Sequence, residues 1–254
     1  MEKIKTLIWF LKRPYLYKQL FYQARQSLFP HPKERTREES TKWCKNHALD
    51  TWEALKAVTG KSELEKVENI AKKDFDNAYS IEKNLPVKMG GGGDYNLLYH
   101  LTCHFNAKIS VETGVAHGWS TLSILLGQET IGNGILYSTD MPYAKMGNEA
   151  FVGCVIPERL RKNWKLYRKP DRQGLREIFK TIDQIDMCHY DSDKSYRGRM
   201  WAYPLFWSKI KAGGVFISDD INDNIAFKEF SEKVGINPII VKWNQQYIGI
   251  LIKP

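Results

Sequence analysis

The pattern of apolar and polar positions divides the chain into two unlike portions. Up to about residue 105, apolar residues recur mainly at helical spacing. Two S/T-x-x-E sequences, Thr36–Glu39 and Ser62–Glu65, fit capping boxes at helix starts, and Trp43 and Ala48 follow the first of them. The N-terminal portion is therefore predicted to consist of helices.

Beyond about residue 107, short β-rich runs alternate with helical stretches, which is typical of a parallel sheet covered on both faces. Only the polar turn NQQ separates the last two runs, so these should form an antiparallel hairpin at one edge. The seven runs are KISVET, GILYSTD, WKLY, IDMCHY, GGVFISD, PIIVKW and YIGILIK. We predict an α/β fold, a doubly wound, seven-stranded, mostly parallel sheet in a three-layer αβα sandwich, with an N-terminal helical extension.

Four consecutive glycines, Gly90 to Gly93, lie where the two patterns meet. They predict either a flexible hinge between the portions or a loop that closes over a ligand. We place the boundary just before them. Residues 1–87 form the helical extension, expected to shape a ligand pocket or an oligomer contact, and residues 88–254 form the sheet domain.

Composition limits the class of protein. With 254 residues, 43% apolar and 26% charged, the chain is in the range of globular proteins, which excludes disordered and fibrous classes. The formal charge of +9 favours anionic partners only weakly, and no nucleic acid is expected. Four separated cysteines without a C-x-x-C pair argue against zinc or disulfides. A reduced, cytoplasmic chain without a membrane span or signal peptide is expected.

The first strand and the helix after it, ISVETGVAHGWSTLSIL, enclose a glycine turn. In open α/β sheets this turn binds nucleotide-like ligands, because glycine permits close approach and the helix N-terminus offers free N–H groups. The turn reads E-x-G-x-x-x-G, with Glu112, Gly114 and Gly118, and lacks the G-x-G-x-x-G of nicotinamide sites. Ser120 and Thr121 open the helix. This stretch is therefore the first candidate binding site.

Asp140 ends the next strand, 22 residues after Gly118. An acid at this place can accept hydrogen bonds from both hydroxyls of a ribose. The alternative is a strand-end aspartate that caps a loop. We predict that Asp140 binds the ribose of a nucleotide-like cofactor.

Three further carboxylates follow the fourth and fifth strands of the predicted sheet. Asp191 lies in HYDSDKSY, and Asp219 and Asp220 end the next strand. The carboxyl ends of neighbouring strands share one crevice, so these groups should converge and repel one another unless protonated or bound to a cation. Oxygen ligands of this kind suit magnesium, manganese or calcium. The alternative is a set of helix-capping aspartates with Lys194 in a salt bridge.

The glycine turn resembles motif I of the class I S-adenosylmethionine-dependent methyltransferases. Residues 88–235 resemble bacterial small-molecule and sugar O-methyltransferases of the macrocin O-methyltransferase type. The resemblance is strongest in the stretches IDMCHYDSDKSY and AGGVFISDDIND. Plant caffeoyl-CoA and animal catechol O-methyltransferases are more distantly similar. The resemblance implies a Rossmann-like fold, S-adenosylmethionine as cofactor, and methylation of a hydroxyl on a small molecule or sugar with a divalent metal.

The resemblance also implies roles for individual residues. Asp191, Asp219 and Asp220 correspond to the metal ligands of the family, with magnesium the expected ion. Lys194 corresponds to the general base beside Asp191, although sugar-type relatives more often have histidine there. The turn at residues 168–174, RKPDRQG, is bulkier than the small glycine-containing turn of the family, which leaves the adenine contact near Asp171 open. The expected cofactor residues are Glu112, Thr113, Gly114, Gly118, Ser120, Thr121, Asp140 and Asp191.

Other functions remain open at this point. A D-x-D glycosyltransferase site would leave the glycine turn and Asp140 without roles. The same fold could serve a metal-dependent hydroxylase or another non-methylating enzyme, or a module that binds membrane or nucleic acid.

The N-terminal segment mixes Lys and Arg with Trp, Phe, Tyr and Leu, a composition that can lie on an anionic membrane. A helix pair that packs on the sheet domain or on a second subunit is favoured, since amphipathic helices of that kind are commoner. We expect a homo-oligomer.

Overall fold

The computed structural model describes residues 2–142, 147 and 149–254, and the side chains of residues 2–5 lie outside this description. The described residues form twelve α-helices and eight strands. The helices are α1 (Glu2–Leu11), α2 (Tyr17–Leu28), α3 (Arg37–His47), α4 (Thr51–Thr59), α5 (Val67–Ile70), α6 (Lys72–Lys83), α7 (Tyr95–His104), α8 (Trp119–Thr130), α9 (Glu158–Arg161), α10 (Asp171–Ile178), α11 (Tyr196–Lys209) and α12 (Ala226–Val234). The strands are β1 (Ala48–Leu49), β2 (Ile109–Thr113), β3 (Ile135–Thr139), β4 (Trp164–Tyr167), β5 (Ile185–Tyr190), β6 (Ile210–Ser218), β7 (Ile239–Trp243) and β8 (Gln246–Ile252).

The strands form one sheet in the order β1-β7-β8-β6-β5-β2-β3-β4. Neighbours are parallel except for β8, which runs antiparallel to both β6 and β7. Each of the seven predicted runs forms a strand, and the last two form the predicted antiparallel pair. The chain order reverses between β2 and β5, so the carboxyl ends of these two strands flank the crevice where such folds bind ligands. The predicted Rossmann-like α/β fold is confirmed.

The sheet has one strand more than predicted. Ala48 and Leu49 form β1, which pairs parallel with Ile240 and Val241 of β7. The predicted hairpin therefore lies one strand inside the edge. A two-residue strand is too short to show an alternating pattern, and this one directly follows α3, whose helical spacing hides it.

The two predicted capping boxes are wrong. Ser62–Glu65 lies outside every helix, and Thr36 precedes α3 without a side-chain bond to that helix. The Thr36 hydroxyl instead donates to the carbonyl of Lys33 and accepts from the N–H of Ile225. A capping box is found at α4, where Asp50 serves as the N-cap. Tertiary partners compete for hydroxyls, and a local sequence motif does not contain that information.

The hydrophobic core has one cluster on each face of the sheet. The first joins α7 and α8 to β7 and β8 and includes Leu55 and Phe75 from the N-terminal portion. The second lies under α10, α11 and α12 and includes Tyr203, Phe206 and Phe227. The extension thus contributes side chains to the core of the sheet. The proposed boundary between residues 87 and 88 stays a prediction.

No helix in the described part of the chain has the length and apolar character needed to cross a bilayer.

Candidate active site

One cavity of about 970 Å³ opens at the carboxyl ends of the central strands. Its wall includes the glycine turn, the ends of β3, β5 and β6, and side chains from α1 and α2. The predicted site residues that line it are Gly114, Ser120, Asp140, Asp191, Lys194, Asp219 and Asp220. Glu112, Thr113, Gly118 and Thr121 lie behind this wall and are buried. The cavity therefore contains both the cofactor turn and the carboxylate cluster.

Both glycines of the turn have a positive φ and lack room for a Cβ. Gly114 has φ +82°, and a Cβ there would collide with the carbonyl oxygen of Asp191, directly after the neighbouring strand β5. Gly118 has φ +101° as the N-cap of α8, and a Cβ there would lie 2.9 Å from Gly153. The backbone from Gly114 to Ala116 lines the cavity, and the N-terminus of α8 can offer its N–H groups to a ligand.

Glu112 lies in a buried polar network beneath the turn. Its carboxylate accepts hydrogen bonds from Thr121 at 2.6 Å and Ser138 at 3.0 Å, and lies 3.4 Å from His189 Nδ1. The sequence predicted that this acid would meet the ligand. In the structure its contacts are with buried residues of the protein, and they fix the end of β2 against β3 and α8.

Asp140 lies at the end of β3 with one oxygen towards the glycine turn. Arg168 donates to its other carboxylate oxygen and also pairs with Glu149 at 2.6 Å. Burial raises the pKa of Asp140 to about 6, although Arg168 acts in the opposite direction. Arg168 belongs to the RKPDRQG turn, whose bulk the sequence showed without revealing its partner. Asp140 therefore has a charged support in place before any ligand binds.

A second acid borders the same end of the cavity. Asp171 accepts hydrogen bonds from the hydroxyls of Ser192 and Thr139, and burial raises its pKa to about 6. The sequence left its contact with an adenine open. Asp171 lines the cavity beside Asp140, which keeps that role available.

Lys194 joins two of the three predicted metal ligands. Its Nζ forms ion pairs with the carboxylates of Asp191 and, at 2.6 Å, Asp220. Burial alone would lower the pKa of Lys194, but these carboxylates more than offset it and raise the pKa above its usual value. Burial also raises the pKa of Asp191 to about 6, opposed by Lys194. Lys194 is therefore a cation here, so its role as a base stays a prediction that requires prior loss of a proton.

The third carboxylate faces a buried histidine. Asp219 lies 3.5 Å from His189 Nε2, and the opposite ring nitrogen faces Glu112. Burial alone would lower the pKa of His189, but Asp219 and Glu112 together raise it to about 10. A protonated His189 thus links the acid beneath the cofactor turn to the acid at the end of β6.

The Asp219–Asp220 turn is held by a buried arginine. Asp220 has φ 52°, a left-handed conformation that is uncommon for residues other than glycine, asparagine and aspartate. Arg199, fully buried, donates to the carbonyls of Asp219 and Asp220 at 3.3 and 2.7 Å. These bonds aim the two carboxylates into the cavity.

The donor set does not fit a magnesium ion in this arrangement. Among the described residues, no three acidic, histidine or cysteine side chains are placed to hold a metal. Asp191 and Asp220 converge on the ammonium of Lys194, and Asp219 faces His189. One oxygen of Asp219 is buried without a hydrogen-bond partner. A metal would have to displace Lys194 from its two carboxylates.

The side of the cavity formed by Asp193 and α2 contains residues that sequence reasoning missed. Tyr22 of α2 donates to Asp193 at 2.9 Å, and Gln26 donates to Ser195 at 2.8 Å. The guanidinium of Arg172 lies 4.4 Å from the ring centroid of Tyr22 and 4.6 Å from that of Trp201. The spacing of α2 marked it as amphipathic, but no signal in the sequence connected it to a loop some 170 residues away.

The glycine run is packed at one end and open at the other. A Cβ at Gly92 would collide with Trp119, and one at Gly93 would lie 2.8 Å from Asp219. Gly90 and Gly91 have no neighbours this close, and Gly90 to Gly92 line the cavity. Of the two predicted roles, the placement of this run favours the loop beside a ligand.

The comparisons with known proteins agree with this geometry. A family model described as a methyltransferase domain matches residues 111–221, from β2 through the Asp219–Asp220 turn. No curated protein sequence matches the chain. The solved O-methyltransferase from Bacillus cereus in complex with SAH has a TM-score of 0.53 and 13% identity, over 83% of this chain and 100% of that one. The SAH-bound methyltransferase PaMTH1 from Podospora anserina has a TM-score of 0.51 and 13% identity, over 89% and 98%.

The structural likeness shows a shared fold, and the family match covers the strand ends that surround the cavity. Residues 111–221 therefore match a methyltransferase domain, on a Rossmann-like fold that the chain shares with SAH-bound methyltransferases.

Proposed function

We propose that the protein is an S-adenosylmethionine-dependent O-methyltransferase that acts on a hydroxyl of a small molecule or sugar. The observation that carries the proposal is that Gly114 and Asp140 line the same cavity as Lys194 and its two carboxylate partners, Asp191 and Asp220. A volume of about 970 Å³ is enough for a cofactor and a small acceptor together. The SAH in the Bacillus cereus relative supports the choice of cofactor.

The cofactor end offers the groups that this ligand needs. Gly114 permits close approach of the backbone, and the α8 N-terminus with Ser120 provides donors for a carboxylate. Asp140 accepts from the ribose hydroxyls, with Arg168 behind it. Glu112, Thr113, Gly118 and Thr121 act from beneath by fixing the turn. This assignment makes Asp140 the residue whose loss should weaken cofactor binding most.

The acceptor end offers a cation between carboxylates. The acceptor oxygen lies in line with the sulfonium methyl and forms a bond to its carbon as the carbon–sulfur bond breaks, which releases S-adenosylhomocysteine. The Lys194 ammonium attracts the oxygen as it loses its proton, and Asp191 accepts that proton. A carboxylate with a raised pKa is a better proton acceptor near neutral pH than an ordinary one. Lys194 and Asp191 are thus the proposed catalytic residues.

Magnesium assistance remains a finer prediction from the family resemblance. Asp191, Asp219 and Asp220 would be its ligands, and a bound ion would lower the pKa of the acceptor hydroxyl as a Lewis acid. The ion pairs of Lys194 oppose this prediction, so the mechanism above uses no metal. Full turnover in EDTA would support the metal-free form, while activity that returns only with magnesium would show that Lys194 leaves its carboxylates.

Calorimetric titration with S-adenosylmethionine tests the cofactor assignment. Asp140→Ala should weaken binding by roughly a hundredfold, since it removes charge-assisted bonds to two hydroxyls. Glu149→Ala is the matched control, because Glu149 also binds Arg168 but is half exposed and does not line the cavity. Equal affinity of parent and Asp140→Ala would contradict the assignment.

Transfer of labelled methyl groups tests the reaction itself. We expect label from S-adenosylmethionine on hydroxyls in a panel of sugars and small phenols. Label only on nitrogen or sulfur acceptors would contradict O-methylation.

A further inference from the structure

The first two helices expose large apolar side chains to an unusual degree. Of the thirteen exposed large hydrophobic residues in the described part of the chain, eight fall within residues 7–29. Phe21 and Leu28 are exposed by 73% and 72%, the highest values of the set. The eight are Leu7, Ile8, Leu11, Tyr15, Tyr17, Phe21, Leu28 and Phe29. Large exposed apolar patches on a globular protein mark interaction surfaces.

Helix α2 separates this apolar surface from the active site. Tyr17, Phe21 and Leu28 share one face by their spacing of four and seven residues. Tyr22 and Gln26 lie on another face, where they bind Asp193 and Ser195 at the cavity. The outer face of α2 is therefore not used to pack this helix on its own chain.

Basic residues border the apolar face without acidic ones among them. From Lys3 to Lys33 the sequence contains no Asp or Glu. Lys18 and Arg25 are exposed, lie seven residues apart beside the Phe21 face, and make no ion pair with any described carboxylate. An isologous contact with a second copy would bring these like charges together, which disfavours a dimer through this surface.

We propose that α1 and α2 dock the protein on an anionic lipid bilayer surface. Phe21, Leu28 and their apolar neighbours insert at the depth of the headgroups, while Lys18 and Arg25 extend to lipid phosphates. The opposite face of α2 lines the cavity, so docking holds the active site beside the membrane. The proposal is independent of the methyl-transfer chemistry, because vesicle binding needs neither cofactor nor acceptor.

Flotation with vesicles of phosphatidylcholine, with and without about 30% phosphatidylglycerol, tests the proposal. The full chain should float with the anionic vesicles, bind neutral ones at least about tenfold more weakly, and lose binding in about 0.5 M salt. Lys18→Glu with Arg25→Glu, and separately Phe21→Ser with Leu28→Ser, should each weaken binding by about tenfold or more.

Matched controls change the same chemistry elsewhere. Lys42→Glu with Lys45→Glu alters two exposed lysines of α3, and Ile70→Ser with Ile81→Ser removes two exposed apolar side chains. Both controls should float as the parent does. Absence of parent binding to anionic vesicles, or equal losses in the controls, would overturn the proposal. So would a dimer in sedimentation that Phe21→Ser with Leu28→Ser dissociates, combined with no vesicle binding.

Discussion

The two ends of the cavity are built in different ways. At the cofactor end, Thr121 and Ser138 both donate to Glu112, at most 26 residues away in the chain, and all three are buried. At the acceptor end, Tyr22 reaches Asp193 across a separation of 171 residues, and both side chains border the cavity. The first end is fixed by the sheet, while the second depends on a few polar contacts from a separate helix pair. Under the proposed function, acceptor choice can therefore change without disturbing the cofactor turn.

The largest expected effect falls on the acceptor end. Lys194→Met should lower turnover by roughly a hundredfold or more, because it removes the charge that stabilises the reacting oxygen and leaves Asp191 unpaired. Lys194→Arg is the discriminating variant, since arginine keeps the charge and does not give up its proton. We expect it to remain within about tenfold of the parent.

Calorimetry with S-adenosylmethionine should give the parent affinity for both Lys194 variants, which confines the change to the acceptor end. If Lys194→Arg proves as slow as Lys194→Met, Lys194 is the general base that the family resemblance implies. An active Lys194→Met enzyme would reduce the lysine to a structural ion pair.

A substitution at one glycine, Gly114, should destabilise the cofactor end of the cavity. Gly114→Ala should destabilise the fold by about 2 to 3 kcal/mol, because a positive φ is strained for alanine and the Cβ meets the carbonyl of Asp191. Gly132→Ala is the control, since Gly132 has φ +87° but nothing within 4 Å of its Cβ. Urea unfolding of both variants isolates the collision. Equal losses would mean that φ alone requires glycine at 114.

This contrast also explains what the sequence could predict. The seven long strands and the E-x-G-x-x-x-G turn depend on neighbours within a few residues, so period and motif were sufficient to find them. The convergence of Asp191, Asp219 and Asp220 followed from the rule that parallel strands share an edge. These predictions need no knowledge of which side chains pair with one another.

The remainder depended on partners distant in the chain. Arg168 and His189 decide the charge around Asp140 and Asp219, and the sequence shows neither contact. The cluster was predicted to hold a cation, and the structure places the ammonium of Lys194 between two of its carboxylates. Ion pairs of this kind depend on tertiary placement, as does the short strand β1.

A change of pH should act at the cofactor end through Asp140. Its pKa is raised to about 6, so its ionised form, which accepts from ribose and pairs with Arg168, is lost as the pH falls through that value. Affinity for S-adenosylmethionine should therefore be constant above about pH 7 and fall by about tenfold per unit well below 6. Asp140→Asn should bind weakly and without this dependence. A parent affinity that is level down to pH 5 would contradict the prediction.

The smallest expected effect separates the acceptor wall from the rest of the site. Tyr22→Phe removes one hydroxyl that donates to Asp193 and leaves the ring in contact with Arg172. A hydrogen bond at a partly exposed position contributes about 1 to 1.4 kcal/mol, so the KM for the acceptor should rise roughly fivefold to tenfold, while the affinity for S-adenosylmethionine stays unchanged. Tyr17→Phe is the matched control, because its hydroxyl donates to the carbonyl of Leu11 on the outer side of the helix pair. If Tyr22→Phe weakens cofactor and acceptor alike, the two ends of the cavity are coupled through Asp193, and the N-terminal helices support the whole site rather than the acceptor side alone.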